Sequence, residues 1–170
     1  MNSHQIRFDA DLIRRYDRAG PRYTSYPTAV QFTDKFGLNE YRAAAMASNQ
    51  DPIPRPLSLY VHIPFCSSPC FYCGCTKVIT RNHEKAEAYL YRLHREIELQ
   101  SQLYDRDREV EQLHFGGGTP TFLTSLEIER LIEKFGQHFK LSSRDDREYS
   151  IELDPRTITT DTLKDLRKVG

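Results

Sequence analysis

The chain has 170 residues, 38% of them apolar, with ten tyrosines and nine phenylalanines, enough to form a buried core and to exclude disorder as a description of the whole. Lysine and arginine together number 24, as do aspartate and glutamate, for a formal charge of zero, so no global field favours nucleic acid or an anionic membrane surface. No apolar run is long enough to span a bilayer and residues 1–20 lack the apolar stretch of a secretory signal, so a soluble, cytoplasmic protein is expected.

In chain order, Arg7, Arg14, Arg15 and Arg18 would suit an organellar presequence, but Asp9, Asp11 and Asp17 interleave them and such segments avoid acids. Leu12, Ile13 and Tyr16 stand at helical spacing within Asp9 to Arg18, and Gly20-Pro21 stops that helix. Pro21 to Thr28 reads PRYTSYPT, a composition suited to an extended segment. A weak helix is expected over Asn39 to Ala47. Prolines 52, 54 and 56 then stiffen the entry into Leu57 to Ile63, which has strand character.

Beyond the strand lie all four cysteines, and after them strand and helix alternate. Ala86, Tyr89, Leu90, Leu93, Ile97 and Tyr104 mark one helix face over Glu84 to Tyr104. Val110 to Phe115 is a short strand running into three glycines. Thr124 and Glu127 have capping-box spacing, and Ile128, Leu131, Ile132, Phe135 and Phe139 form the face of the helix that follows. Glu148 to Leu153 is the third strand, and Thr160 caps a helix carrying Leu163, Leu166 and Val169. Alternation of this kind predicts an α/β fold of parallel β-α units. Three such units leave a sheet edge open, so residues 57–170 read as the first part of a partial TIM-type barrel, preceded by an N-terminal arm over 1–56.

The chemistry concentrates in Cys66, Cys70, Cys73 and Cys75. Disulfide scaffolds spread their cysteines to join distant segments, whereas here C-x3-C-x2-C occupies one loop after a strand. Three thiolates from one loop can each hold one iron of a cubane and leave the fourth iron open to a ligand. Zinc is the alternative, with Cys75 or His62 as fourth ligand, but structural zinc sites usually pair two separate knuckles and only one is present. Gly116-Gly117-Gly118-Thr119-Pro120 follows the second strand, where bare backbone admits a ligand or simply makes a tight turn. Glu152 ends the third strand. If Ile151 and Leu153 face the helices, Glu152 points to the opposite side. All three loops then lie at the same end of the sheet, which in parallel α/β folds is the active face. His62 and His83 receive no role beyond structure.

Together the cysteine triad, Tyr72 before its third member, GGGTP and Glu152 resemble the radical S-adenosylmethionine (radical SAM) superfamily. Tyr60-Val-His-Ile-Pro-Phe-Cys66, the extra cysteine in Cys73-Gly-Cys75 and the upstream PRYTSYPT are similar to the oxygen-independent coproporphyrinogen III oxidases of heme biosynthesis. The resemblance runs from about residue 6 to the last. It implies that Cys66, Cys70 and Cys73 bind a 4Fe-4S cluster whose open iron takes S-adenosylmethionine, contacted by Tyr60, Tyr72, Gly117, Gly118, Thr119 and Glu152. One electron cleaves the sulfonium. The 5'-deoxyadenosyl radical then takes hydrogen from a propionate of coproporphyrinogen III, and loss of carbon dioxide and one electron leaves a vinyl group. Two such rounds yield protoporphyrinogen IX.

The resemblance also implies an electron donor and a monomeric full-length form, with neither nucleic acid nor membrane as partner. Cys75 stays outside the ligand set, either near the substrate or as a buried thiol. Arg22, Tyr23 and Tyr26 either close over the active site, with Arg22 near a substrate carboxylate, or form a surface arm. Members of the family are much longer, so the chain reads as a fragment or a truncated product whose activity alone is in doubt. Two rivals stay open: a heme-binding relative acting in heme trafficking, disfavoured by Cys75 and PRYTSYPT, and a zinc-stabilised binding module.

Overall fold

The computed structural model describes residues 8–18, 26 and 28–170. Two units divide between Gly37 and Leu38. In the first, Asp9 caps helix α1 (Ala10–Tyr16) by accepting the amide hydrogens of Asp11 and Leu12 at 3.0 and 2.9 Å, and a 3-10 turn follows at Ala29–Gln31.

The division falls earlier than the boundary expected after residue 56, because helix α2 (Leu38–Ala47) is tied into the second unit. Ala45 is buried. The Tyr41 hydroxyl donates to Gln100 Oε1 at 2.5 Å, and Arg108 donates to Ser48 Oγ, Asn49 Oδ1 and the Arg55 carbonyl at 2.7 to 3.1 Å. Burial, with Tyr104 and Glu96 nearby, pushes the Tyr41 phenol up to about 12, so it stays a neutral donor.

Within the second unit β1 (Leu57–Ile63) pairs in parallel with β4 (Glu109–Gly117), and β4 with β6 (Glu148–Ile151). Leu57, Val61 and Ile63 of β1 and Val110, Leu113 and Phe115 of β4 are buried. They pack on α3 (Glu84–Ser101) through Leu90, Leu93 and Ile97, and on α4 (Ser125–His138) through Ile128, Leu131 and Phe135. Parallel pairing requires such helical crossovers, and α3 and α4 serve as two of them. Helix α5 (Thr160–Val169) adds Leu166 to this layer. Because side chains alternate along a strand, Tyr60, His62, Gln112, His114, Ser150 and Glu152 fall on the other face.

Several boundaries differ from expectation. Helix α3 ends at Ser101 rather than Tyr104, β6 ends at Ile151 rather than Leu153, and Thr159, not Thr160, caps α5 by accepting the Thr162 amide hydrogen at 3.2 Å. Two-residue strands β2 (Phe65–Cys66) and β3 (Val78–Ile79) pair with each other, and β5 (Lys140–Leu141) lies beside the start of β4. Two residues are too few to display the alternation that reveals a strand in sequence.

The capping box at Thr124 forms as expected and extends to the preceding helix. His83 Nε2 lies 3.0 Å from both carboxylate oxygens of Glu127, and its ring stacks on Phe122 at 5.3 Å. Burial works against ionisation of Glu127, but the Thr124 amide and hydroxyl and the His83 ring outweigh it and hold the carboxyl below its ordinary 4.5. A lowered carboxyl stabilises the fold fully above the ordinary value and loses that contribution as pH falls through the lowered one. Glu127→Gln should therefore cost about 1 kcal/mol at pH 7, a difference that closes as pH falls below the ordinary carboxylate values and the Glu127 carboxyl takes up its proton. Denaturant titrations at both ends of this range check it.

Candidate functional site

The end of β1 runs through Pro64 into β2, so Cys66 is delivered from the sheet itself and is buried. The chain then makes an excursion and returns at β3, where the Val78 amide donates to the Pro64 carbonyl at 2.7 Å and Thr80 to Cys66 at 2.9 Å. This small ladder closes the base of a loop bearing Cys70, Cys73 and Cys75. Inside it the Cys73 amide donates to the Cys70 carbonyl at 3.3 Å, and Lys77 Nζ reaches the carbonyls of Cys73 and Cys75, each at 3.4 Å. Cys75 is exposed, which removes the reading of it as a buried thiol.

The glycine loop at the end of β4 is stitched onto this segment. Gly118 donates to the Ile63 carbonyl and Thr119 to the Phe65 carbonyl, both at 2.8 Å, and the Thr119 hydroxyl approaches Cys66 Sγ at 3.6 Å. Gly117 has φ +112°, in the region that favours glycine, and a Cβ there would stand 2.6 Å from the His62 ring. His62 is itself held, with Nδ1 3.0 Å from the Tyr60 hydroxyl and Nε2 2.9 Å from the Thr76 carbonyl, while Tyr89 donates to its backbone oxygen.

Glu152 extends the third strand's pairing, its amide donating to the Phe115 carbonyl at 2.9 Å. Ile151 joins the helix-side core and Glu152 faces the other way, as expected. Leu153, expected on the helix side as well, stays out of that core and is exposed, because the strand ends at Ile151 and its alternation no longer holds. Its Oε2 accepts the Gly117 amide hydrogen at 3.1 Å, and Oε1 lies 3.4 Å from His114 Nε2; the other ring nitrogen of His114 is 2.7 Å from Ser150 Oγ. Tyr60 stacks on His114 with ring centroids 5.8 Å apart. Burial, together with Glu152 and Cys75, pushes the Tyr60 phenol up, so it remains protonated.

These loops enclose one cavity of about 650 Å³ lined by Cys66, Cys70, Cys73 and Cys75, by Tyr72, by Gly117, Gly118 and Thr119, and by Glu152. Tyr60 does not line it and stands behind Gly116, while Arg22 and Tyr23 lie outside the described residues. Tyr26 is exposed. The thiols differ electrostatically: the Cys75 amide, its side chain and Lys77 draw Cys73 down against a desolvation penalty, whereas hydrogen bonding and charge at Cys73 push Cys75 up.

Among the described residues, no three His, Cys, Asp or Glu side chains converge as ligands of a single metal ion. A cubane takes one thiolate at each of three separate irons, and an all-sulfur donor set on one loop, beside a cavity with space for a further ligand, fits it.

Sequence reasoning missed Lys77, His114, Asp154 and Arg156, and it gave His62 a structural role without its place under Gly117. The two histidines were recoverable from period-two spacing, which sets Tyr60, His62, His114 and Glu152 on one face. Lys77 and Arg156 reach the site through loop geometry, which carries no period.

The Radical SAM superfamily model matches residues 60–170. An oxygen-independent coproporphyrinogen III oxidase of Pseudomonas aeruginosa is 51% identical over 165 residues, covering 97% of this chain and 35% of that protein. One from Mannheimia haemolytica is 46% identical over 151 residues, covering 89% of this chain and 99% of that one. A solved structure of coproporphyrinogen III oxidase (HemN) from Escherichia coli, described as a radical SAM enzyme, superposes with a TM-score of 0.78 at 45% identity, covering 98% of this chain and 35% of that one. The chain thus spans about a third of the length of the Pseudomonas relative and of the solved structure, at 35% each. No helix among the described residues is long and apolar enough to cross a membrane.

Proposed function

The chain belongs to the radical SAM superfamily and, within it, to the oxygen-independent coproporphyrinogen III oxidases, and on that premise we propose that it forms the cluster- and S-adenosylmethionine-binding portion of such an enzyme, acting on coproporphyrinogen III in heme biosynthesis. The observation that carries this reading is the single cavity that joins three cysteines to the Gly117-Gly118-Thr119 loop and Glu152. Cys66, Cys70 and Cys73 would hold a 4Fe-4S cluster. When bound, that cluster supplies the electron for reductive cleavage of the S-adenosylmethionine sulfonium, which starts oxidative decarboxylation of a propionate.

The chain's own groups divide the remaining work. Gly117 and Gly118 offer bare backbone to the methionine or adenine end of S-adenosylmethionine, and Tyr72 offers an aromatic face beside the cysteines. Glu152 presents a carboxylate for an amino group or ribose, already oriented by the Gly117 amide and His114. Tyr60 buttresses this carboxylate through His114 rather than touching the ligand first. Cys75, exposed in the same cavity, belongs on the substrate side. An electron donor completes the system, and the cytoplasm, which keeps thiols reduced, is its setting.

Anaerobic reconstitution followed by S-adenosylmethionine titration tests this reading. The expected product carries about four irons and four sulfides per chain, with a visible spectrum that changes on ligand addition. Uptake of zinc without sulfide, or a cluster indifferent to S-adenosylmethionine, would overturn it.

A further inference from the structure

Just past the third strand, Asp154-Pro155-Arg156-Thr157 folds into a turn that aims a cation at the cysteine loop. Asp154 Oδ1 accepts from the Arg156 amide at 3.0 Å and from Nε at 2.9 Å, and Oδ2 accepts from Nη2 at 2.7 Å. The Thr157 amide and hydroxyl close the turn on the Asp154 carbonyl at 3.0 and 3.1 Å. Arg156 is 68% exposed at its side chain and would otherwise sample many rotamers, whereas Asp154, 18% exposed, is fixed. Ion pairing to the guanidinium holds the Asp154 carboxyl down to about 2 and pushes Arg156 up. The same Nη2 that binds Asp154 points at Cys70 Sγ, 4.0 Å away, and Asp154, Arg156 and Cys70 line the same cavity.

We propose that Arg156, positioned by Asp154, raises the reduction potential of the cluster held at Cys70. The inference rests on the cluster assignment made above. Reduction adds one negative charge to the cluster, and a fixed cation donating N–H toward a ligand sulfur stabilises the more negative state. Fixing matters, because a free surface arginine would spend most of its time hydrated. Here the turn spends no flexibility at the moment of reduction, since its hydrogen bonds exist without the cluster. Asp154 and Arg156 offset each other's charge, so the pair acts as an oriented dipole whose positive Nη2–H end faces Cys70 while the carboxylate lies behind it, and Asp154 acts on the cluster by holding that orientation.

The test is a potentiometric titration of anaerobically reconstituted wild type, Arg156→Gln and Arg156→Lys, followed by electron paramagnetic resonance and accompanied by iron and sulfide counts. The glutamine variant should keep wild-type iron and shift three- to tenfold toward the oxidised cluster, a potential lower by about 28–59 mV for a one-electron couple. The lysine variant, which keeps the charge but not the fork, should fall between. A glutamine variant with full iron and an unchanged potential would overturn the proposal, and so would one that loses its iron, because that would assign Arg156 to retention of the cluster. Failure of the wild type to take up a 4Fe-4S cluster has a different signature and would instead remove the underlying site assignment.

Discussion

Serine at Cys66, Cys70 or Cys73 will leave the reconstituted chain without a stable iron-sulfur cluster, and serine at Cys75 will leave it loaded. The hydroxyl is a hard, poorly ionised donor where iron in a cluster requires a soft thiolate, so each ligand replacement should lower iron retention at least about tenfold. Cys75 shares the loop and the cavity, and exposure alone would make it the most accessible of the four thiols. Its surroundings argue otherwise. Hydrogen bonding between the two draws the Cys73 thiol down and pushes the Cys75 thiol up, so the loop already treats the two cysteines differently. A second reason is the count of corners: Cys66, Cys70 and Cys73 supply three thiolates, and a fourth would close the iron that S-adenosylmethionine needs open. Iron and sulfide analysis of the four single variants after identical reconstitution gives the answer. Loss of iron from Cys75→Ser equal to that from Cys70→Ser would show that the ligand set is misassigned.

How far the sequence led depended on whether a feature repeats. Strands β1, β4 and β6 and helices α3 and α4 were legible because Leu57, Val61 and Ile63 keep period two, and Leu90, Leu93 and Ile97 keep the helical period, over enough residues to count. The site was legible as residue types: cysteines, glycines and Glu152 stand at the ends of successive parallel strands, and topology alone gathers such ends. What stayed hidden was everything made by contact between loops. The β2-β3 ladder that closes the cysteine loop is two residues long on each side, and the Asp154-Arg156 turn gains its meaning only from Cys70, distant in sequence and 4.0 Å from Arg156 in space. Helix α2 was assigned to the arm for a similar reason, since its attachment runs through Tyr41 to Gln100 and through Arg108 to Ser48 and Asn49, polar contacts that leave no mark on hydrophobic periodicity.

Alanine at Gly118 and alanine at Gly136 will have opposite effects on stability, although the substitution is the same. A Cβ at Gly118 would stand 2.7 Å from the Phe65 carbonyl oxygen and 2.8 Å from the carbonyl carbon and oxygen of Pro64. All three are backbone atoms, so no rotamer change relieves them. Nor can the glycine loop move away, because Gly118 and Thr119 donate to the Ile63 and Phe65 carbonyls on the same segment at 2.8 Å each. The two strands must separate at the point where β1 hands the chain to Cys66, at a cost of about 2–4 kcal/mol. At Gly136, by contrast, the nearest atom to a new Cβ is Leu141 Cδ1 at 3.8 Å, ordinary van der Waals contact, and the residue sits in helix α4 with no positive φ. Removing glycine's unfolded-state freedom there should stabilise the chain by about 0.5–1 kcal/mol. Because the Gly118 clash displaces the peptide beside Cys66, that variant should also bind less iron on reconstitution, while Gly136→Ala binds as the wild type does. Denaturant midpoints read the first difference and iron content the second. A Gly118→Ala protein with wild-type stability and full iron would mean that the cysteine and glycine loops are not held together as the hydrogen bonds between them require.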